Sequence, residues 1–383
     1  MRYILTHKSI SAGVMYQGET LVIDGETIID RGPRERFDTA GKQVTDLRGL
    51  ITMPGFIDTH VHGGNGCDAM DATREALETI SNFKVDEGCT SFCATTITAP
   101  MDKTIAAVRN IKNAMDAGLP GAKILGAFLE GPFINPKYKG AHPEEYILPV
   151  NSNLLNELLI AGAGSVMSVI IAPELDGAIN VIEMLKKKDV QVRLGHSDAT
   201  LEQVNAAVAA GANQGVHTFN AMSPFHHREP GMVGAIFTNP DIYAELICDL
   251  VHVHTKACKA LAHAKGADKT VLVTDCMCAG GLPDGNHKLG ELEVVVEGGV
   301  SRLPDGTLAG STTSMIECVK HMHRDIGVPL EAAVNMATTA PAKALGLFKT
   351  LGSLDIGKSA DIIGVDEDLN IRFVMVDGEI KKD

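Results

Sequence analysis

The chain has no tryptophan, and aromatic residues make up only 4% of its 383 positions. That scarcity counts against recognition of nucleic-acid bases by stacking. Positive charge is also in deficit: 34 Lys and Arg face 48 Asp and Glu, a formal net charge of −14. Such a surface repels phosphodiester backbones and anionic lipid, so neither nucleic acid nor membrane is an expected partner. No run is long and apolar enough to span a bilayer. The first residues, Met1–Lys8, lead into no apolar core of a secretory signal. The eight cysteines form no CxxC pair, which removes the zinc-ribbon reading. Cys89 and Cys93 flank what reads as a buried strand, where free thiols act as small hydrophobes. The expectation is a reduced, cytoplasmic protein.

Apolar residues make up 45% and charged residues 21%, the balance of a globular protein with a sizeable core. The length predicts one large domain and a smaller one. Residues 1–50 read as short strands (around Tyr3–Leu5, Thr20–Asp24, Glu26–Asp30 and Lys42–Asp46) punctuated by Gly, Asp and Pro. The last thirty behave alike, with Asp361–Val365 and Ile371–Val376 before an Asp377-Gly378 turn. Both ends are expected to pair into one small β-sandwich of residues 1–50 and 352–383.

Residues 51–351 alternate apolar strands with amphipathic helices, the pattern of parallel βα units. The eight candidate strands are Ile51–His62, Thr90–Thr98, Ile124–Glu130, Val166–Ala172, Val190–Gly195, Gly215–His217, Ala244–His252 and Thr270–Asp275. Helices are expected at Asp71–Asp86, Lys103–Ala117, Ala178–Lys188 and Leu201–Ala210, the last with a capping box at Thr200/Gln203. Pro-Asp-Gly turns at 283–285 and 304–306 mark a β-hairpin insertion, followed by helical stretches at Thr312–Asp325 and Leu330–Leu345. The fold class is α/β, a (β/α)8 TIM-like barrel. An open doubly wound sheet is the rival, but no GxGxxG follows the first strand.

In such barrels catalytic groups gather at the C-terminal ends of the strands. Here His60 and His62 close strand one, Glu130 strand three, His196 strand five, His217 strand six, His252 strand seven and Asp275 strand eight. A single histidine is more often a surface or hydrogen-bonded core residue; so many at one end of the strands point to a site. Imidazole with carboxylate suits a first-row divalent ion, zinc or iron foremost, one or two per subunit. Such an ion brings the pKa of its water to about 7, and Asp275 is the natural proton shuttle.

At its two ends the sequence resembles the amidohydrolase superfamily, through Met53-Pro-Gly-Phe-Ile-Asp-Thr-His-Val-His-Gly63 and Gly352-Ser-Leu-Asp-Ile-Gly-Lys-Ser-Ala-Asp361. Its middle is similar, in order and spacing, to N-acetylglucosamine-6-phosphate deacetylases. Leu129-Glu-Gly-Pro-Phe, Gly195-His-Ser-Asp-Ala-Thr, His217-Thr-Phe-Asn-Ala-Met, Arg228-Glu-Pro-Gly, Val273-Thr-Asp and Leu308-Ala-Gly-Ser carry that likeness over essentially the whole chain. Hydantoinases and dihydroorotases instead bridge their metals with a carboxylated lysine, and neither the strand-three nor the strand-four segment contains one.

The resemblance implies that Glu130, His196 and His217 hold the principal metal and that His60 and His62 complete a second position. It implies Asp275 as general base and then acid, with His142 polarising the amide carbonyl. Ala141, His142, Asn220, Ala221, Arg228, His252, Leu308, Ala309 and Gly310 would contact an amino-sugar phosphate in a homodimer, Arg228 reaching a neighbouring subunit. The implied reaction is deacetylation of N-acetylglucosamine-6-phosphate in amino-sugar catabolism.

Arg228 has a plainer reading as an ion pair with Glu229, although an acidic protein needs a local guanidinium to hold phosphate. His226 and His227 are expected to be exposed. The family's Asp-Gly-x-His-x-Asp stretch reads Asp249-Leu-Val-His-Val-His254 here. Leu250 and His254 are the departures that favour a different N-acyl amino sugar, or an N-acyl amino acid, as substrate. A catalytically idle binding protein on this barrel is a third reading, opposed by the intact ligand set. His263, His287, His321 and His323 receive no role, and Cys276 and Cys278 are read as packing.

Overall fold

The computed structural model describes residues 1–383. Eight parallel strands follow one another in chain order around a barrel: Phe56–Val61, Cys89–Thr96, Lys123–Leu129, Val166–Ile171, Gln191–Leu194, Gln214–Gly215, Tyr243–Ile247 and Thr270–Val273. The ring closes where Val61 bridges Cys276, the Asp275 N–H donating to the His60 carbonyl at 3.0 Å. Helices cover the outside, and their apolar faces meet the strands in one cluster of 66 buried residues. No helix is long and apolar enough to cross a membrane.

Strand one differs from the expected Ile51–His62. The backbone divides at Gly55, whose N–H donates to the Asp361 carbonyl at 3.0 Å. A Cβ there would lie 2.1 Å from the Thr90 side chain. Residues before Gly55 belong to a long strand, Gln43–Pro54, that pairs with Arg2–Ser11 and Ile362–Val365. Both sides of the division are buried, so periodicity alone does not mark it. The terminal strands form one eight-stranded sheet. Its two halves meet over a separate core that includes Ile4, Leu21, Ile28, Leu47, Phe373 and Met375. This is the small sandwich beside the barrel.

The helix Leu201–Ala210 has its expected bounds, with both capping-box bonds between Thr200 and Gln203. The stretch Leu330–Leu345 is two helices, Leu330–Ala337 and Thr339–Ala344. Pro341 explains the break: it lacks an N–H and its ring would strike the carbonyl four residues back. The expected hairpin insertion is a three-stranded meander, Gly285–Leu289, Leu292–Glu297 and Val300–Arg302. Its inner side packs on Ile97, Met277 and Ala309, so it roofs one side of the strand ends.

Candidate active site

The C-terminal strand ends surround a cavity of about 220 Å³ that includes His62, Glu130, His196, His217 and Asp275 in its wall. Three of these ends leave ordinary strand geometry. His196, His217 and Asp275 have φ of 46°, 31° and 50°, values that cost L-residues about 1–3 kcal/mol and cluster at functional sites. The backbone turns there so that each side chain points inward while the chain leaves the barrel.

Three imidazoles have their tautomers set by fixed neighbours. His196 Nδ1 lies 2.8 Å from the Tyr138 carbonyl, and His217 Nδ1 lies 3.2 Å from that of Asn220. A carbonyl can only accept, so both Nδ1 atoms carry protons and both Nε2 atoms present lone pairs. Those two atoms stand 3.1 Å apart, and Glu130 Oε1 is 3.3 and 3.2 Å from them. Three electron-pair donors therefore converge with no proton between them, a set that fits a divalent cation.

His142 is the opposite case. The Thr98 backbone N–H donates to its Nδ1 at 3.3 Å, and the Thr98 hydroxyl lies 2.8 Å from the same atom. An N–H can only donate, so Nδ1 accepts and Nε2 carries the proton, facing Glu130 Oε2 at 3.6 Å. Burial, and then the neighbouring His196, push the His142 pKa down to about 4. It stays neutral, and it is a hydrogen-bond donor toward the cavity rather than a metal ligand, although it lies close enough to Glu130 and His196 to be grouped with them. Gly131 makes room for this arrangement: with φ of 112°, a Cβ there would come within 2.0 Å of the Thr98 hydroxyl.

His60, His62 and Asp275 form a second buried group able to hold a metal. Asp275 Oδ1 is 3.3 Å from Nε2 of both histidines, and Glu130 Oε2 lies 3.1 Å from His62 Nε2. Glu130 thus spans the two groups, one oxygen to each. Burial opposes ionisation of Asp275, but the charges of His60 and His62 outweigh it and hold its pKa low. Burial likewise opposes charge on His62, and Asp275 and Glu130 outweigh it. His60 Nε2 and Asp275 Oδ1 are buried without a hydrogen-bond partner, as metal-facing donors would be.

Ala141, Asn220, Ala221, His252, Leu308 and Gly310 also line the cavity, so the expected sugar-contacting residues come together there. Ala309 does not face it; its side chain is buried under the meander. His252 follows its strand by five residues instead of ending it, and its Nδ1 is held by Asp249 at 2.6 Å. Arg228 is exposed outside the cavity, its guanidinium 2.8 Å from His227 Nε2 and not paired with Glu229. His226 and His227 are exposed as expected.

The matching family model is the amidohydrolase family, over residues 51–381. The chain belongs to the amidohydrolase family. It is 43% identical to the N-acetylglucosamine-6-phosphate deacetylase of Vibrio furnissii, over 86% of this chain and 82% of that protein. It is 41% identical to the N-acetylgalactosamine-6-phosphate deacetylase of Escherichia coli O157:H7, over 88% and 89%. Among solved structures, the N-acetyl-D-glucosamine-6-phosphate deacetylase of Mycobacterium smegmatis, a mutant in complex with N-acetyl-D-glucosamine-6-phosphate, superposes with a TM-score of 0.94. That likeness is at 32% identity and covers 100% of this chain and 99% of the other. The amidohydrolase carries His, Asp and Glu groups that can bind a metal.

The two departures near His252 have local explanations in this amidohydrolase. Leu250 keeps a left-handed backbone, φ 62°, while its side chain packs against the main core. His254 is the N-cap of the helix Thr255–Lys265, its ring accepting from the Lys256 N–H. Neither lines the cavity. Sequence reasoning missed Thr98, which fixes His142, and Glu174. The latter accepts from Asn135, Ser197 and the Asp198 N–H at 2.7–2.8 Å and so braces the loop after His196. It also missed Arg193 and Glu245, whose signal was a charged residue inside an otherwise apolar strand.

Proposed function

We propose that the chain hydrolyses the N-acetyl group of an amino-sugar 6-phosphate, N-acetylglucosamine-6-phosphate foremost, to give acetate and glucosamine-6-phosphate in amino-sugar catabolism. The observation that carries this reading is the joint one. A neutral His142 donor, an ionised Asp275 and a proton-free Glu130–His196–His217 set share one cavity, in a chain whose relatives at 43% and 41% identity are sugar-phosphate deacetylases.

Glu130, His196 and His217 would hold the principal ion, zinc or iron. His60 and His62, with Asp275, would hold a second. An ion bound there supplies an acidified water and a Lewis acid for the amide carbonyl. Asp275 takes the proton of the attacking water and returns it to the departing nitrogen, which an amide needs to cleave. His142 Nε2–H donates to the carbonyl oxygen as it gains charge, a contribution of about 10²–10³ in rate. Asn220, Ala221, His252 and the Leu308–Gly310 segment enclose the sugar.

The exposed Arg228 supports a homodimer in which it meets the phosphate of a neighbouring subunit's substrate. Eight free thiols, seven of them buried, support a reducing, cytoplasmic setting.

The relative named for N-acetylgalactosamine-6-phosphate favours a second reading, in which the 4-epimer is the better substrate. Acetate release from the two phosphorylated epimers and from unphosphorylated N-acetylglucosamine decides among them. The proposal expects turnover of the gluco phosphate to lead and Arg228→Ala to erase the preference for phosphate. Release only from N-acyl amino acids would overturn it.

A further inference from the structure

Beneath the cavity floor lies an ion pair that the proposed chemistry does not use. Arg193 on the fifth barrel strand and Glu245 on the seventh are both fully buried, and the Arg193 guanidinium donates to Glu245 Oε1. Arg193 also donates to the Thr59 carbonyl at 3.0 Å and lies 4.0 Å over the Phe128 ring. Its Nε and second amino group have no partner. Burying such a pair with idle donors is expensive, and apolar residues of similar volume would often serve stability equally well. A structural role alone does not explain it.

The second oxygen of Glu245 faces His60. Oε2 is 3.4 Å from His60 Nδ1, and the edge of the His60 ring is set against Phe128, centroids 4.9 Å apart at 86°. Phe128 thus supports both His60 and Arg193. With Nδ1–H toward the carboxylate, His60 turns Nε2, the atom that would give its lone pair to a bound ion, to the side where Asp275 and Glu130 lie, at 3.3 and 3.5 Å. The other anchored rings, His196 and His217, lean on neutral carbonyls, whereas His62 Nδ1 has no partner at all. Among the four imidazoles proposed to hold metal, His60 is the one backed by a carboxylate, an arrangement that fixes a metal-binding ring and raises its basicity.

We propose that Glu245, held in place by Arg193, is a positioning residue that turns His60 toward the ion position it shares with His62 and Asp275, so that occupancy of this position depends on the Arg193–Glu245 pair. The inference rests on the proposed ligand role of His60. It makes the two ion positions unequal: the Glu130–His196–His217 position is independent of the pair, and the His60 position is not.

The test is titration of chelator-stripped full-length protein with Co²⁺, read by absorption and by bound metal. The samples are wild type, Glu245→Gln, the apolar double variant Arg193→Met/Glu245→Leu, and His60→Asn. The double variant keeps the question answerable if a lone buried charge unfolds Glu245→Gln. The expected result is an unchanged tight equivalent in every folded variant. The second equivalent should weaken by about 10–100-fold when Glu245 is replaced and should be lost in His60→Asn, with kcat falling and KM holding. If His60→Asn binds cobalt like wild type, the ligand role of His60 fails, and the inference with it. If His60→Asn loses the second equivalent while both Glu245 variants keep it at wild-type affinity, the ligand role stands and the inference alone is overturned.

Discussion

His196 Nε2 and His217 Nε2 stand 3.1 Å apart with Glu130 Oε1 beside both. Each ring spends its Nδ1 proton on a backbone carbonyl, Tyr138 for one and Asn220 for the other. The facing atoms are therefore lone pairs, and a carboxylate oxygen joins them. Such a cluster is repulsive in a dry cavity unless a cation sits among its members. The left-handed backbone at both histidines is a further cost that the fold bears to make them converge.

Asp275→Asn removes the proton shuttle but keeps a side chain of the same shape. We expect kcat to drop by about 10²–10⁴, while the ion at the Glu130–His196–His217 position is retained in metal analysis. Near-normal turnover would remove Asp275 from the mechanism.

His142→Ala should lower kcat by about 10²–10³. Thr98→Val removes the hydroxyl beside Nδ1, yet the Thr98 backbone N–H still donates to that atom. Its loss should therefore be under about tenfold, with steady-state kinetics as the measure. Equal losses in the two variants would mean that the hydroxyl, not the backbone, sets the tautomer.

The barrel and its strand-end residues were legible because two independent patterns coincided: βα alternation, and His or acidic residues at the ends of successive apolar runs. The division at Gly55 was not legible, since the residues on its two sides are buried alike, Ile51 and Met53 in the same core as Phe56 and Val61. The direction of the Ala309 side chain was not legible either: it is buried under the meander, while Leu308 and Gly310 on either side of it line the cavity. Leu250 and His254 looked like changes to the sugar pocket; one is a left-handed residue packed on the core and the other a helix cap. Sequence names the residue type but not the direction of the side chain, and here direction decided the role.

His254 offers its ring to the Lys256 N–H at 3.2 Å. Aspartate is a better cap and places negative charge at the helix N-terminus. His254→Asp should raise stability by about 0.5–1 kcal/mol in thermal unfolding. Substrate preference should stay unchanged, because the side chain does not line the cavity.

Lys84 lies fully buried between Asp58, at 2.9 Å, and Glu87. Asp58 also accepts from Thr274, just past the eighth strand, so this cluster ties strand one to the end of strand eight below the site. Burial pushes the Glu87 carboxyl up to about 7, the Lys84 charge offsetting only part of that effect. A raised value means that the folded state holds the proton more tightly than the unfolded chain. The stability so gained is complete below the unfolded pKa and is lost as pH rises through about 7. Relative to Glu87→Gln, wild type should therefore lose on the order of 1–3 kcal/mol between pH 4.5 and 7.5. Chemical unfolding across that range measures it, and parallel curves would contradict the buried-proton account.

The most direct measurement is acetate release from N-acetylglucosamine-6-phosphate by protein stripped of metal and then reloaded, alongside His217→Ala treated identically, with bound metal counted in every sample. The account predicts that stripping abolishes release and that zinc or iron restores it in proportion to the first equivalent bound. His217→Ala should regain neither tight metal nor turnover. Full acetate release from metal-free protein, or from His217→Ala without bound metal, would contradict it.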